Sequence, residues 1–423
     1  MAYFMIHEMH EGLAGHDSTL RMLPSFVYKK DVSNAQGVFY ALDLGGTNFR
    51  VIRMVILGGH LQSTTQSAFT IPKEHMEGNA VGLFGFIAES VQKFIRDKAP
   101  DDAKSHRRIP LGFTFSFPVQ QTALGSGTLI AWTKGFTTTG VVGKDVVLLL
   151  QDALDKAVVD MKVVALCNDT VGTLITRFFR DERAQMGVIL GTGANACYWE
   201  RSYNVTKAPE VMKLGAMETV INMEFGNFDS SNCLCLPTTA YDDVVDVESK
   251  NKGAQRFEKM ISGMYLGEIA RVVLVSLSKN GLLPECIAKG MTKKYAFETR
   301  HSSLISSDRL PGLLFTRRLL QDQFGVSVTD SADLFLIREV CVLVRNRAAQ
   351  LAGMAISATL LKAEQTGNAT VAVDGSVYEK TPSFHAVMLK TIRTILGDES
   401  DVRLVLQREG SGHGAGFIAA LAQ

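Results

Sequence analysis

Residues 37–57 read GVFYALDLGGTNFRVIRMVIL, two apolar runs on either side of a short glycine-containing turn. Both runs are rich in β-branched and aromatic residues, which favour strands, and Gly45, Gly46 and Asn48 are residues that tolerate tight turns. The stretch therefore predicts a β-hairpin. A carboxylate, Asp43, stands near the end of its first strand.

Strands and helices alternate along the rest of the chain. Four segments have apolar residues at helical spacing: residues 80–98, 145–158, 331–364 and 384–396. Three shorter apolar runs are typical of strands: residues 109–118, 162–169 and 369–373. This alternation predicts the α/β class. Because a chain of 423 residues is longer than one typical domain, we expect two lobes.

A second glycine turn is similar to the first. Leu42–Asn48 and Ile189–Asn195 each follow an apolar strand and lead into another β-rich run, which predicts a duplicated lobe. Turn amides and the hydroxyls of Thr47 and Thr192 could contact a phosphate, and Asp43 could hold Mg²⁺ through water. Each turn taken alone is more often an ordinary β-turn, since Gly and Asn are common in turns.

The composition argues against several classes of function. Lys and Arg number 44 and Asp and Glu 43, so the chain has no broad electrostatic field that would favour nucleic acid or an anionic membrane. No apolar run reaches the ~18 residues of a membrane span, and the first residues do not resemble a secretory signal. We therefore expect a cytoplasmic protein that acts on small molecules.

Two familiar nucleotide-binding patterns do not fit. The chain has no P-loop motif. Residues 191–196 match the glycine pattern of dinucleotide-binding folds, but the following residues, Cys197–Trp199, favour a strand where that fold requires a helix.

Asn168, Asp169 and Thr170 lie where a short strand meets a predicted helix. Asp169 or Thr170 could simply cap that helix. Alternatively, Asp169 could accept the proton of an attacking hydroxyl, a role that carboxylates have in phosphoryl transfer.

Amides and acids that could bind sugar hydroxyls are scattered further along the chain. Examples are Asn195, Glu224 and Glu258. Paired hydrogen bonds from such groups suit a hexose site, although each residue taken alone is more often a solvated surface side chain.

Taken together, these motifs resemble the hexokinase family. The matching segments cover almost the whole chain in the family's order: Arg21–Phe26, Leu42–Arg50, Leu111–Pro118, Trp132–Phe136, Asn168–Thr170, Gly191–Tyr198, Ile261–Gly267, Val373–Tyr378 and Gly410–Gly416. The N-terminal half also looks similar to kinetoplastid hexokinases, which leaves a glycosomal location as the alternative to the cytoplasm.

The resemblance implies an actin-like, ribonuclease H-like duplicated fold with a cleft between two lobes. The small lobe would contain residues 37–168 joined by 413–423, and the large lobe residues 1–36 and 169–412. The implied activity is transfer of the γ-phosphoryl group of ATP, with Mg²⁺, to the 6-hydroxyl of a hexose, foremost glucose, as in the first step of glycolysis. No tightly bound organic cofactor, nucleic acid partner or particular oligomer is implied.

The resemblance also implies residue roles. Asp169 would be the catalytic base, and Asp43 would hold Mg²⁺ through water. The implied sugar contacts are Ser116, Phe117, Thr133, Lys134, Asn168, Asn195, Glu224, Gln255 and Glu258. The implied nucleotide contacts are Asp43, Leu44, Gly45, Gly46, Thr47, Asn48, Thr192, Gly193, Asp374, Gly375, Ser376, Gly410, Ser411, Gly412, His413, Gly414 and Ala415. His413, in a late glycine-rich turn, stands where relatives often have a lysine.

Two other functions are compatible with parts of this pattern. One is a catalytically silent sugar sensor of the same family, but Asp169, Asp43 and both glycine turns are retained. The other is an actin-type or chaperone-type ATPase. Such an ATPase would share the turns but would have no reason to carry residues 116–118 and 133–134 together with Glu224 and Glu258.

Overall fold

The computed structural model describes residues 1–31, 33–46, 48–104, 108–132, 135–213, 215, 217–231 and 234–422. Its strands are β1 (Leu23–Tyr28), β2 (Gly37–Leu44), β3 (Asn48–Leu57), β4 (His60–Thr70), β5 (Ile109–Phe115), β6 (Val119–Ala123), β7 (Ser126–Leu129), β8 (Met161–Cys167), β9 (Ala184–Leu190), β10 (Ala194–Arg201), β11 (Glu218–Asn222), β12 (Asn368–Asp374) and β13 (Asp401–Leu406).

The α-helices are α1 (Ala2–Ala14), α2 (Lys73–Glu77), α3 (Ala80–Lys98), α4 (Val146–Lys156), α5 (Asp169–Phe178), α6 (Glu210–Lys213), α7 (Ala240–Glu248), α8 (Arg256–Ile261), α9 (Leu266–Lys279), α10 (Glu285–Gly290), α11 (Thr299–Ser307), α12 (Leu314–Phe324), α13 (Ser331–Lys362), α14 (Ser376–Lys380), α15 (Phe384–Leu396) and α16 (Gly410–Leu421). None of the helices in the described part of the chain combines the length and apolar character that a membrane span requires.

Two sheets repeat the same topology. The first has the order β4-β3-β2-β5-β8, with β2 to β4 antiparallel and β2, β5 and β8 parallel. The second has the order β11-β10-β9-β12-β13 with the same directions, and β1 adds to its edge beside β11. The predicted α/β class, hairpin and duplication are therefore confirmed.

The predicted helices are also present, with small shifts at their ends. Helix α3 begins after Asn79, whose side chain accepts a hydrogen bond from the amide of Gly82. Helix α13 ends two residues earlier than expected, because Glu364 has a left-handed backbone with φ of 57°. The strand expected over 109–118 ends at Phe115, where the chain turns before Pro118.

The late glycine-rich segment differs from its prediction. Residues 410–415 do not form a turn but begin helix α16, which packs against α5, β2 and β5. A side chain at Gly414 would overlap the backbone of Gly172 in α5, so the two helices meet backbone to backbone. These glycines therefore allow close packing rather than a sharp turn. Since α5 follows the last strand of the first sheet and α16 the last strand of the second, their contact joins the two halves.

Candidate active site

The first glycine turn brings Asp43 to the start of α16. Ser411 Oγ donates a hydrogen bond to Asp43 Oδ2 at 3.0 Å, and Arg50 Nη1 lies 3.6 Å from the same oxygen. The Asp43 residue is only 8% exposed. A buried carboxylate thus stands where a glycine turn and the N-terminal end of a helix converge. Exposed amides and the helix dipole at such an end favour a bound phosphate.

Asp169 is the first residue of α5. The prediction that Asp169 or Thr170 caps this helix is wrong, because the N-cap is Asn168, which has an extended backbone and accepts from the Thr170 amide at 3.0 Å. Asp169 Oδ1 accepts from that amide as well, at 2.9 Å. Since Asn168 serves as the cap, helix α5 does not depend on Asp169 for its start.

Amides and acids from two neighbouring strands meet beside Asn168. The β10–β11 register pairs Cys197 with Asn222 and so brings Asn195 towards Glu224. Asn195 Nδ2 lies 2.9 Å from Asn222 Oδ1 and 3.1 Å from Glu224 Oε1. It also lies 3.4 Å from Asn168 Oδ1, which connects this cluster to the strand end that carries Asp169.

Asn222 was missed by the sequence analysis. Its side-chain amide donates to Glu224 Oε1 at 2.8 Å and so orients that carboxylate. Its position two residues before Glu224 was a usable signal, because side chains two apart share a face while a strand continues. In the structure, strand β11 ends at Asn222.

Gln255 and Glu258 approach the same region from α8. Glu258 Oε2 accepts a hydrogen bond from the Ala194 amide at 2.9 Å, next to the second glycine turn. A β-carbon at Gly226 would lie 2.5 Å from Gln255 Oε1, so glycine at this position leaves room for the amide. Both side chains therefore reach the segments that carry Asn195 and Glu224.

Two further predicted sugar contacts, Ser116 and Phe117, follow strand β5 of the first sheet. The amide of Ser116 donates to the carbonyl of Leu44 at 3.1 Å, which ties this segment to the first turn. Phe117 is buried and packs against Trp132 and Phe136. Three predicted contacts lie outside the described residues: Thr47, Thr133 and Lys134.

Asp374 adds a third carboxylate near the glycine turns. It ends β12, and its Oδ1 accepts from the Gly375 amide at 2.7 Å. Burial, with a further contribution from the negative charges of Asp169 and Asp43, raises the pKa of the Asp374 carboxyl to about 6. Three acids therefore face one region, and a cation bound there would relieve their repulsion.

We expect Asp374→Asn to stabilise the protein in magnesium-free buffer at pH 7.5 by about 2 kcal/mol. A raised pKa means that the folded protein binds this proton more tightly than the unfolded chain, so the wild-type free energy of unfolding falls as pH rises from about 4 to about 6. Urea unfolding of both proteins across this range tests the sign. If Asp374→Asn were more stable than the wild type by the same amount at pH 4 as at pH 7.5, the predicted pH dependence would be wrong.

His413 lies inside α16 rather than in an open turn. The residue is buried, and its Nε2 is 3.5 Å from Thr64 Oγ1 on β4. Burial, with the positive charges of Arg180 and Arg50, lowers the pKa of the imidazole, although Glu409 opposes this shift.

Family models described as hexokinase match residues 1–179 and 185–421. The chain belongs to the hexokinase family. It is 41% identical to hexokinase-7 of Oryza sativa subsp. japonica, an alignment that covers 99% of this chain and 92% of that one. It is 42% identical to hexokinase-1 of Homo sapiens over 98% of this chain and 45% of that longer protein.

The hexokinase from Schistosoma mansoni, solved in complex with glucose, has a similar structure. Its TM-score is 0.88 with 36% identity, covering 99% of this chain and 94% of that one. The expected family, actin-like fold and hexokinase activity are thereby confirmed.

Proposed function

We propose that this hexokinase transfers the γ-phosphoryl group of ATP, bound with Mg²⁺, to the 6-hydroxyl of a hexose, with glucose as the main substrate. The convergence of Asp169, the sugar-type cluster around Asn195 and Glu224, and both glycine turns carries this proposal. Each group comes from a different segment of the chain. Their meeting at one place is what phosphoryl transfer to a sugar requires.

Asp169 would accept the proton of the 6-hydroxyl as its oxygen attacks phosphorus. Asn168, Asn195 and Glu224 would hold the ring hydroxyls through paired hydrogen bonds, with Gln255, Glu258 and Ser116–Phe117 around them and Thr133 and Lys134 in the adjoining segment. These contacts would hold the 6-hydroxyl next to the Asp169 carboxylate. Binding would therefore already remove much of the freedom of motion that the reacting groups must lose in the transition state.

The two glycine turns would hold the ATP phosphates on the other side of Asp169. The proposed contacts are Asp43 to Asn48, Thr192, Gly193, Asp374 to Ser376 and the start of α16 from Gly410 to Ala415. Among the described residues, no three acidic, histidine or cysteine side chains are arranged to bind a metal ion directly. Asp43 would therefore hold Mg²⁺ through water, and the ion would neutralise phosphate charge.

We further propose that residues 37–168 with 413–423, and 1–36 with 169–412, act as two lobes that close on the sugar. Closure would exclude water, which competes with the sugar for the phosphoryl group. A cytoplasmic location remains a prediction, with the glycosome as the alternative. Fluorescence microscopy of the tagged chain in its native cell would decide between them.

The test is product analysis with ATP, Mg²⁺ and either glucose or 6-deoxyglucose, which lacks the acceptor hydroxyl. We expect glucose 6-phosphate from the first sugar, no sugar phosphate from the second, and loss of turnover when Mg²⁺ is chelated. ATP hydrolysis without any sugar phosphate would favour the ATPase alternative. Glucose binding without turnover would favour the sugar sensor.

A further inference from the structure

Asp246 is a buried acid on α7 that does not belong to the site described above. Its side chain is 7% exposed and accepts a hydrogen bond from Lys259 Nζ at 2.7 Å. Arg256 Nη1 lies 3.0 Å from its other oxygen, and the Gly253 amide donates to both carboxylate oxygens at 3.0 and 3.1 Å. The Asp246 carboxylate thus binds the loop at Gly253 and two positively charged side chains of α8.

Arg256 and Lys259 are one turn apart and share one face of α8, and Glu258 lies on an adjacent face. Gln255 is the N-cap residue immediately before the helix. Asp246 binds Arg256 and Lys259, while Glu258 accepts a hydrogen bond from the Ala194 amide. Through Arg256 and Lys259, Asp246 therefore helps to fix the rotation of this short helix about its axis.

The loop that enters α8 has a strained backbone that several hydrogen bonds hold in place. Gln255 has a left-handed backbone with φ of 55°, which is unfavourable for a residue with a side chain. Its amide donates to Asn227 Oδ1, the Arg256 amide donates to Ser230 Oγ, and Lys259 Nζ also donates to the carbonyl of Asn251. A strained entry and a short helix need an anchor, and Asp246 bonds to both.

Burial makes the anchor sensitive to the charge of Asp246. The Lys259 side chain is only 4% exposed and that of Arg256 10%. Burial lowers the pKa of the Lys259 ammonium, although Asp246 opposes this shift. If Asp246 lost its charge, Lys259 would lose its carboxylate partner, whereas Arg256 would still pair with the more exposed Asp243, 2.6 Å away. The two neighbouring cations would then be less well compensated, and α8 would have to shift to hydrate Lys259.

We propose that Asp246 is a positioning residue for the sugar, acting through Arg256 and Lys259 to aim Glu258 and Gln255 into the site. This inference rests on the proposed function, because it requires that Glu258 and Gln255 contact the hexose. Asp246 itself would touch neither sugar nor nucleotide. Its loss should therefore weaken the grip on the hexose while leaving the phosphate turns intact.

The matched control is Asp242, a second buried acid one turn earlier on the same helix. Its carboxylate caps α7 through Thr239 and pairs with Arg347 at 2.7 and 2.8 Å, with a side chain 5% exposed. Asp242 has the same helix, burial and kind of arginine partner, but Thr239 and Arg347, with which it pairs, lie outside α8. Asp242→Asn should reduce stability by a similar mechanism without moving Glu258.

The experiment compares steady-state kinetics of the wild type, Asp246→Asn and Asp242→Asn with glucose and Mg-ATP, well below each melting temperature. For Asp246→Asn we expect the KM for glucose to rise about tenfold or more, with the KM for ATP unchanged within about twofold. For Asp242→Asn both constants should stay at the wild-type values despite a lower melting temperature. Equal glucose KM values in all three proteins would overturn the proposal.

A second measurement covers the case in which Asp246→Asn does not fold. Lys259→Met removes one buried cation together with its need for a partner, and it should also raise the glucose KM because α8 loses the same anchor. In a protein that already carries Glu258→Gln, Lys259→Met should raise the glucose KM little further, since the carboxylate that it would misplace is absent. Full additivity would overturn the proposal. A wild type without turnover would instead refute the proposed function.

Discussion

Replacing Asp169 with alanine is expected to lower kcat about 10²- to 10⁴-fold while the dissociation constant of glucose changes by less than about tenfold. A base acts mainly in the transition state, whereas the sugar is held by the surrounding amides and acids. The fold should survive because Asn168, not Asp169, caps helix α5 through the Thr170 amide. Initial rates and isothermal titration with glucose separate the two effects.

Asp160 gives a matched control for this substitution. It stands just before the other end of strand β8, and its side chain is 59% exposed, with Arg108 3.5 Å away. Asp160→Ala should keep the wild-type kcat, because exposed ion pairs of this kind contribute at most about 1 kcal/mol. If Asp169→Ala turned over as fast as this control, Asp169 would not be the base.

The second large effect concerns the contact between α5 and α16. Gly414→Ala should reduce the free energy of unfolding by at least about 3 kcal/mol, because the new methyl group would meet the Gly172 backbone and no side-chain rotation could relieve the overlap. Urea unfolding followed by circular dichroism measures the loss. We expect glucose phosphorylation to fall as well, because α16 carries Ser411 against Asp43.

Gly85 is the control for adding a methyl group to a helical glycine. It lies within α3, and no atom would lie within 4 Å of a β-carbon there. Gly85→Ala should therefore leave stability unchanged or raise it by up to about 1 kcal/mol through better helix propensity. If Gly414→Ala were as stable as this control, the two helices would not meet as described.

Local sequence patterns were sufficient to predict most of the fold. Strand alternation and helical periodicity predicted the hairpin, the helices and the repeated glycine turn, because each of these features depends on neighbouring residues. Residues 410–415 were misread as a turn for the same reason. Clustered glycines usually mark turns, and only the partner surface at Gly172 explains why they are helical here.

The candidate site was harder to predict, because it is assembled over long separations. Asn195 meets Glu224 29 positions away, and Glu258 meets Ala194 64 positions away, contacts to which no local pattern points. Residue type alone marked Asn195, Glu224 and Glu258 as possible sugar-binding residues, and the family resemblance assigned them that role. Asn222 was missed because it would act on Glu224 and not on the sugar itself. Asp246 was missed because its contacts are with Lys259 and Arg256 of α8 and not with residues of the site.

A crystal structure of the protein with bound glucose is the strongest test of the proposed site. We expect the sugar between Asn195, Glu224 and Glu258, with its 6-hydroxyl oxygen within about 3.2 Å of an Asp169 carboxylate oxygen. A sugar bound in another part of the molecule, or one whose 6-hydroxyl faces away from Asp169 in the closed state, would show that Asp169 and its neighbours do not form the sugar site.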